Sequence, residues 1–267
     1  MSAFLSATTP SPAPGPSATL EFTADWRQGK GVFGGAVAAA MARSMAAVVG
    51  GGARTLRSFT VHFCAPATPG PARVRAALAR EGTLVAHARA EVDNDDGLVA
   101  FASAVFAAPR APGPTWAPPP ALGPVAPFDS VPAVPIHQMG GPVFARHFEY
   151  RFAGGEAPWS GAARAHMAFW IRPVAPVPLD AALAIALLDA GPPAFLARLD
   201  GPAAAATVDW RVQLPAPLPA GLPDDTPFLL ESEAESFVDG YAEERSVLRA
   251  PDGTVLALGQ QLIARLG

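Results

Sequence analysis

The chain has 267 residues, half of them hydrophobic, so it can bury a substantial core as one large domain or two small ones. Its formal net charge is -4 and it has no long run of Lys or Arg, which argues against nucleic-acid binding through a basic surface. The single cysteine, Cys64, excludes an intrachain disulfide framework and suits a reducing compartment, so we expect a cytoplasmic protein. No uninterrupted apolar span reaches about 18 residues, and no membrane association is predicted.

The N-terminal part begins with a segment rich in Pro, Ala and Ser, residues 1–19. This segment lacks a basic region followed by an apolar core, so we interpret it as a disordered leader rather than a signal peptide. An N-terminal unit over 20–108 follows. Its alanine-rich stretch at 31–49 predicts a helix, led in by Gly34 and Gly35. Alternating side chains and turn residues then predict four antiparallel strands. The first of them ends at Pro66, and the other three cover 72–82, 83–97 and 98–108.

Prolines between 107 and 135 forbid a regular helix or a central strand, so we assign 109–142 to a linker or a wrapped surface segment. A C-terminal unit over 143–267 repeats the earlier order. Its helix, at 179–190, is stopped by Gly191-Pro192-Pro193. Six strands are predicted around that helix, at 145–154, 163–173, 207–215, 228–240, 241–253 and 254–266.

The two halves align as a duplication. Matching Pro66 with Pro215 sets an offset of 149 (215 − 66), which places Ser58 opposite Thr207 and Ala40 opposite Asp189. Each half is then one helix plus a run of antiparallel strands. A helix wrapped by a curved antiparallel sheet is a hotdog, so the predicted fold class is α+β, a tandem or double hotdog.

The order of these segments resembles that of the TesB-like, or type II, acyl-CoA thioesterases. In the first half the resemblance rests on "VFGGAV", "RSFTVHFCAP" and "REGTLVAHARAEV". In the second half it rests on "FWIRP", "LLDAG", "ATVDWRVQLP", "DGYAEER" and "PDGTVLALGQQL". The resemblance implies an enzyme that hydrolyses an acyl-CoA to the free acid and CoA, without a cofactor or a metal ion.

The resemblance also implies catalytic residues: an aspartate on a helix, a Thr on a strand and a Gln on the last strand hold and activate the attacking water. Position by position these fall on Asp189, Thr207 and Gln261. Gln260 is a rival for the last role, but alternation along a strand points adjacent side chains to opposite faces, and we favour Gln261. Gly34 and Gly35 are candidates for donating backbone N–H groups to the oxyanion, and close helix packing is the alternative that we favour.

The residues support this chemistry independently. Asp189 lies in the nearly apolar run 183–197, where loss of solvent raises the pKa and basicity of a carboxylate. The first half has Ala40 at the equivalent helix position and no glutamine near Ala104, the counterpart of Gln261. One half therefore carries the chemistry and the other serves as its structural partner.

Other chemistries find little support. The sequence has no Gly-x-Ser-x-Gly elbow, no aspartate and histidine at the spacing of hotdog hydratases, and no histidine pair at metal-ligand spacing. Glu243 and Glu244 are interpreted as a solvated strand face, and Cys64 as a small buried hydrophobe. His62, like the other histidines, is interpreted as a surface or strand residue, and an approach to a pocket is the alternative.

Two alternatives stay open from the sequence. Besides an acyl-CoA thioesterase, the sequence is compatible with a non-catalytic hotdog protein that binds acyl-CoA or another acyl ligand, and with a hotdog thioesterase that acts on carrier-protein thioesters. Because each half leaves a sheet edge or a helix face exposed, we expect a homodimer or a higher homo-oligomer.

Overall fold

The computed structural model of the protein describes residues 2–13, 17–110 and 124–266. Within these ranges the helices are α1 Ala3–Thr8, α2 Gly34–Val49 and α3 Ala181–Asp189. The strands of the first half are β1 Ser11–Pro12, β2 Ser17–Phe22, β3 Arg27–Gln28, β4 Gly31–Val32, β5 Thr55–Phe63, β6 Gly70–Glu81, β7 Val85–Asn94 and β8 Gly97–Ala107. Those of the second half are β9 Phe148–Gly155, β10 His166–Pro173, β11 Ala204–Gln213, β12 Phe228–Val238, β13 Tyr241–Arg249 and β14 Val255–Leu266.

All strands except the short β3–β4 hairpin belong to one open antiparallel sheet. Its order is β1-β2-β6-β7-β8-β5-β11-β14-β13-β12-β10-β9. Reading outwards from the centre, β5, β8, β7 and β6 mirror β11, β14, β13 and β12. The duplicated halves meet where β5 pairs with β11, with His62 opposite Asp209 and Ser58 opposite Gln213. Both central strands carry a register irregularity, at Leu56/Ser58 and at Thr207/Asp209.

Helices α2 and α3 pack against each other on the inner face of this sheet. The middle of α2 is almost all alanine and is fully buried, because small side chains let the two helices approach closely. Leu183, Ile185 and Leu187 of α3 are completely buried, and each such side chain contributes roughly 1.5–3 kcal/mol to stability. Asp180 caps α3, its carboxylate accepting the Leu183 N–H at 2.8 Å.

The segment Ala181–Arg198 is long and apolar enough, by composition, to cross a membrane. Its helix nevertheless ends at Asp189, before Pro192 and Pro193, and 67% of the segment is buried inside the protein. A position at the centre of the core therefore accounts for its apolar character.

The expectation of a disordered leader over 1–19 is wrong for the part that the structure describes. Ser2 caps α1, and Phe4 is buried against Trp26 at a ring separation of 6.3 Å. Strand β2 pairs with β6 along its whole length. The composition of the leader is typical of disorder, but the burial of Phe4 and an available sheet edge order it.

The described part of the linker, 124–142, wraps the outer surface of the second half. Val125, Phe128 and Val131 pack on an apolar patch that includes Trp170 and Leu229. Residues 111–123 of the predicted linker, and residues 14–16 of the leader, lie outside the described residues.

Cys64 was expected to be buried and is exposed, because it follows the last residue of β5 in the loop before Pro66.

Candidate active site

Asp189 is the last residue of α3, where the helix C-terminus meets the inner face of the sheet. It lines a narrow cleft together with Leu188, Thr207, Glu244 and Gln261. The free volume in this cleft is about 20 Å³, more than the roughly 10–15 Å³ that one water molecule requires. The carboxylate predicted from the sequence therefore faces a polar cleft of the size of a single solvent molecule.

A chain of hydrogen bonds holds this carboxylate. The Thr207 hydroxyl donates to Gln261 Oε1 at 3.0 Å, and Gln261 Nε2 donates to Asp189 Oδ1 at 3.3 Å. Because the hydroxyl binds the amide oxygen, the amide nitrogen is turned towards the carboxylate. Three residues from α3, β11 and β14, distant in sequence, thus meet at one point.

The adjacent glutamines face opposite sides of the sheet. Gln261 is 4% exposed and points to the cleft, whereas Gln260 donates to Glu243 at 2.7 Å on the outer face. Strand alternation, applied to β14, separates them as expected.

The N-terminus of α2 lies against the same cleft, although it belongs to the other half. The Gly35 N–H donates to the Asp189 carboxyl group, and a Cβ placed on Gly34 would lie only 3.1 Å from Asp189 Oδ2. A Cβ on Gly35 would collide with the Phe33 ring at 2.4 Å. Both glycines are therefore needed for close packing, and the positive end of the α2 dipole faces Asp189.

The surroundings raise the pKa of Asp189 to about 7. Burial is the main cause, since an apolar environment penalises the charged carboxylate, and the hydrogen bonds from Gln261 and the Gly35 N–H oppose it only in part. At neutral pH a substantial fraction of this carboxylate is ionised and able to accept a proton. This is the range in which a general base is most effective.

Glu244 is the residue of the cleft that the sequence interpretation placed wrongly. It is 4% exposed, and its carboxyl group lines the cleft beside Gln261, its partner across the β13–β14 pair. The expected solvated face holds for Glu243 alone. Alternation with the buried Ala242 and Ser246 was the available signal that Glu244 points inwards.

Other polar residues singled out by sequence lie elsewhere. His62 is on the outer sheet face, paired with Asp209 at 2.8 Å and stacked on Phe101 at 4.6 Å. Within the described ranges, no group of three or more His, Cys, Asp or Glu side chains is arranged to hold a metal ion. Ala40 and Ala104, which the sequence alignment of the two halves places opposite Asp189 and Gln261, are both buried.

Comparison with known families agrees with this architecture. Residues 22–107 match the N-terminal domain of acyl-CoA thioesterases, and residues 125–264 match the C-terminal domain. The chain belongs to the acyl-CoA thioesterase family. As a TesB-like member of this family it is a thioester hydrolase with the double hotdog fold.

Solved structures share this fold over the whole chain. A conserved hotdog protein of unknown function from Alicyclobacillus acidocaldarius superposes with a TM-score of 0.85 at 26% identity, covering 100% of this chain and 99% of its own. The tesB protein of Mycobacterium avium subs paratuberculosis gives 0.75 at 18% identity, covering 99% and 98%. Acyl-CoA thioesterase II TesB2 from Mycobacterium marinum gives 0.72 at 17%, also covering 99% and 98%. No curated protein matches the sequence.

Proposed function

We propose that this thioester hydrolase converts an acyl-CoA to the free acid and CoA, using a water molecule that Asp189 deprotonates. The observation that carries the proposal is the Asp189 carboxylate itself, with its pKa raised to about 7 at the wall of a cleft that can hold one water. A buried carboxylate without a cationic partner destabilises a fold, so its presence points to use in the reaction.

Gln261 and Thr207 serve as orienting groups in this mechanism. Their hydrogen bonds fix the carboxylate and present an amide N–H and a hydroxyl oxygen towards the cleft. A water between them and Asp189 would give its proton to the carboxylate as its oxygen attacks the thioester carbon. Proton transfer of this kind typically accelerates a reaction by roughly 10²–10⁴-fold.

The negative oxygen that forms on the thioester carbon needs a hydrogen-bond donor. The Gly35 N–H is engaged by Asp189, so we assign this role to the Gly34 N–H at the start of α2. The reaction as written uses a carboxylate, water and hydrogen-bond donors, and it involves no cofactor or metal ion.

Thiol release from a panel of short, medium and aromatic acyl-CoAs tests the proposal, with the Asp189→Asn protein assayed in parallel. Offering the same acyl groups on an acyl carrier protein separates the two carriers. We expect release from at least one CoA ester and a rate at least about 100-fold lower in the variant. Binding of acyl-CoA without release in either protein would instead identify an acyl-ligand binding protein.

Assembly and location are also proposals. We propose a cytoplasmic location, since a single cysteine suits a reducing compartment. We also propose a homodimer or larger oligomer, because Phe101, Leu262 and Tyr241 expose apolar surface on the outer face of β8, β14 and β13. Light scattering after size exclusion distinguishes such an assembly from a monomer.

A further inference from the structure

A second carboxyl group shares the cleft with Asp189, and the mechanism above does not use it. Glu244 projects from β13 on the inner face of the sheet, next to Gln261 on β14. Glu244, Gln261 and Thr207 come from three consecutive strands of the sheet, and Asp189 lies above them at the end of α3. The two carboxyl groups therefore approach the same cleft from two different elements.

The hydrogen bonds of Glu244 favour its ionised form, whereas its burial favours the protonated form. Its Oε2 accepts the Ala194 N–H at 2.5 Å, and further hydrogen bonds come from the Phe195 N–H and the Ser232 hydroxyl. Burial is the main cause that raises its pKa to about 8, and the negative charge of Asp189 adds to the effect. Burial thus favours the protonated form of both carboxyl groups. Because Asp189 is the one bonded to Gln261, which Thr207 orients, it is placed to act on the water, and Glu244 is left to hold a proton.

Building on the proposed function, we infer that Glu244 is the acid of the reaction: it donates its proton to the sulfur of the departing thiol. Both carboxyl groups line one small cleft, and Gln261 neighbours each of them, since it donates to Asp189 and lies opposite Glu244 in the β13–β14 pair. Pairs of acidic groups whose environments differ are a common way to provide a base and an acid in one site.

The proton balance closes without any other reagent. The water oxygen forms a bond to the thioester carbon, and one water proton passes to Asp189. The carbon–sulfur bond then breaks with its electron pair on sulfur, which takes the proton of Glu244 and leaves as the free thiol. Asp189 is now protonated and Glu244 ionised, and transfer of one proton from Asp189 to Glu244 restores the starting state.

A purely structural role is the competing explanation, since Glu244 also ties the segment after α3 to the sheet through the Ala194 N–H. The nature of the leaving group separates the two roles. An alkyl thiol such as that of CoA is a weak acid, as is the cysteine side chain with its pKa of about 8.5, and it gains from protonation as it leaves. An aryl thiol is far more acidic and leaves readily as the anion. A structural defect affects esters of both thiols equally.

The experiment compares Glu244→Gln with the wild type on one acyl group carried by CoA and by an aryl thiol. We expect a loss of at least about 100-fold on the CoA ester and of less than about 5-fold on the aryl ester. The ratio of the two rates does not depend on the amount of folded protein. Equal losses on both esters, or no loss on either, would overturn the inference. Asp189→Asn must slow both esters, and failure of that control points to the proposed function instead.

Glu243→Gln is the matched control, because Glu243 is the adjacent residue on the outer face, where it accepts from Gln260. We expect it to keep wild-type rates on both esters. A second measurement needs no substitution: the wild-type rate should depend only weakly on the pKa of the leaving thiol across a series of esters. A steep dependence would contradict proton donation to sulfur.

Discussion

Replacing Asp189 with asparagine should change how the stability of the fold depends on pH. In the wild type, the pKa of this carboxyl group is about 7 in the folded protein and near its ordinary value of 3.8 in the unfolded chain. The folded state therefore holds the proton more tightly. The stability gained from this is complete below about pH 3.8 and is lost progressively as the pH rises to about 7.

The size of the effect follows from the two pKa values. A difference of about three in pKa, at 1.36 kcal/mol for each, corresponds to at most about 4 kcal/mol. Asp189 keeps some contact with solvent in the cleft, so screening reduces the effect, and we expect about 2–4 kcal/mol. Asparagine has the same shape but no charge. Its own contribution to stability is therefore the same at every pH.

Urea unfolding of both proteins at several pH values between about 4 and 8 measures this effect. The free energy of unfolding of the variant, relative to the wild type, should rise by about 2–4 kcal/mol across that range. Titrating groups that do not interact with Asp189 cancel in the comparison, whereas Glu244 does not, because the charge of Asp189 raises its pKa. A relative free energy that stays constant with pH would show that the carboxylate of Asp189 is not in an environment that disfavours its charge.

Three further substitutions, with Gln260→Ala as a control, test the geometry of the site. Gln261→Ala should lower kcat/KM by about 10²–10³-fold, whereas Gln260→Ala on the outer face should leave it within about twofold, as measured by thiol release. Gly34→Ala should lower kcat by about tenfold, because its Cβ would lie 3.1 Å from Asp189 Oδ2 and displace the carboxylate. Thr207→Val should lower kcat by about tenfold or more, since it removes the hydroxyl that orients Gln261. Equal effects at Gln261 and Gln260, or unaltered rates for the other two variants, would contradict the arrangement.

Much of the fold could be predicted because the sequence repeats itself. The strands of both halves follow a two-residue alternation and end at Gly or Pro, so their existence and order are evident from local patterns. The leader could not be predicted in this way. Its composition is that of a disordered segment, and only the burial of Phe4 against Trp26 and the pairing of β2 with β6 order it.

The sequence predicts the positions of some residues of the cleft better than those of others. Asp189 is visible as a lone carboxylate in an apolar run, and alternation separates Gln261 from Gln260. Glu244 was misinterpreted because its neighbour Glu243 made the pair look like a solvated face. Its role depends on which side of β13 faces α3, and that is decided by contacts between segments distant in sequence.

The central claim is that the Asp189 carboxylate removes a proton from the attacking water. Its most direct test is kcat/KM for a good acyl-CoA substrate as a function of pH, in the wild type and in Asp189→Asn. The wild-type value should fall about tenfold for each pH unit below about 7, as the carboxylate becomes protonated. The variant should show a much lower rate without that inflection. A variant with near wild-type rates, or with the same inflection near pH 7, would contradict the claim.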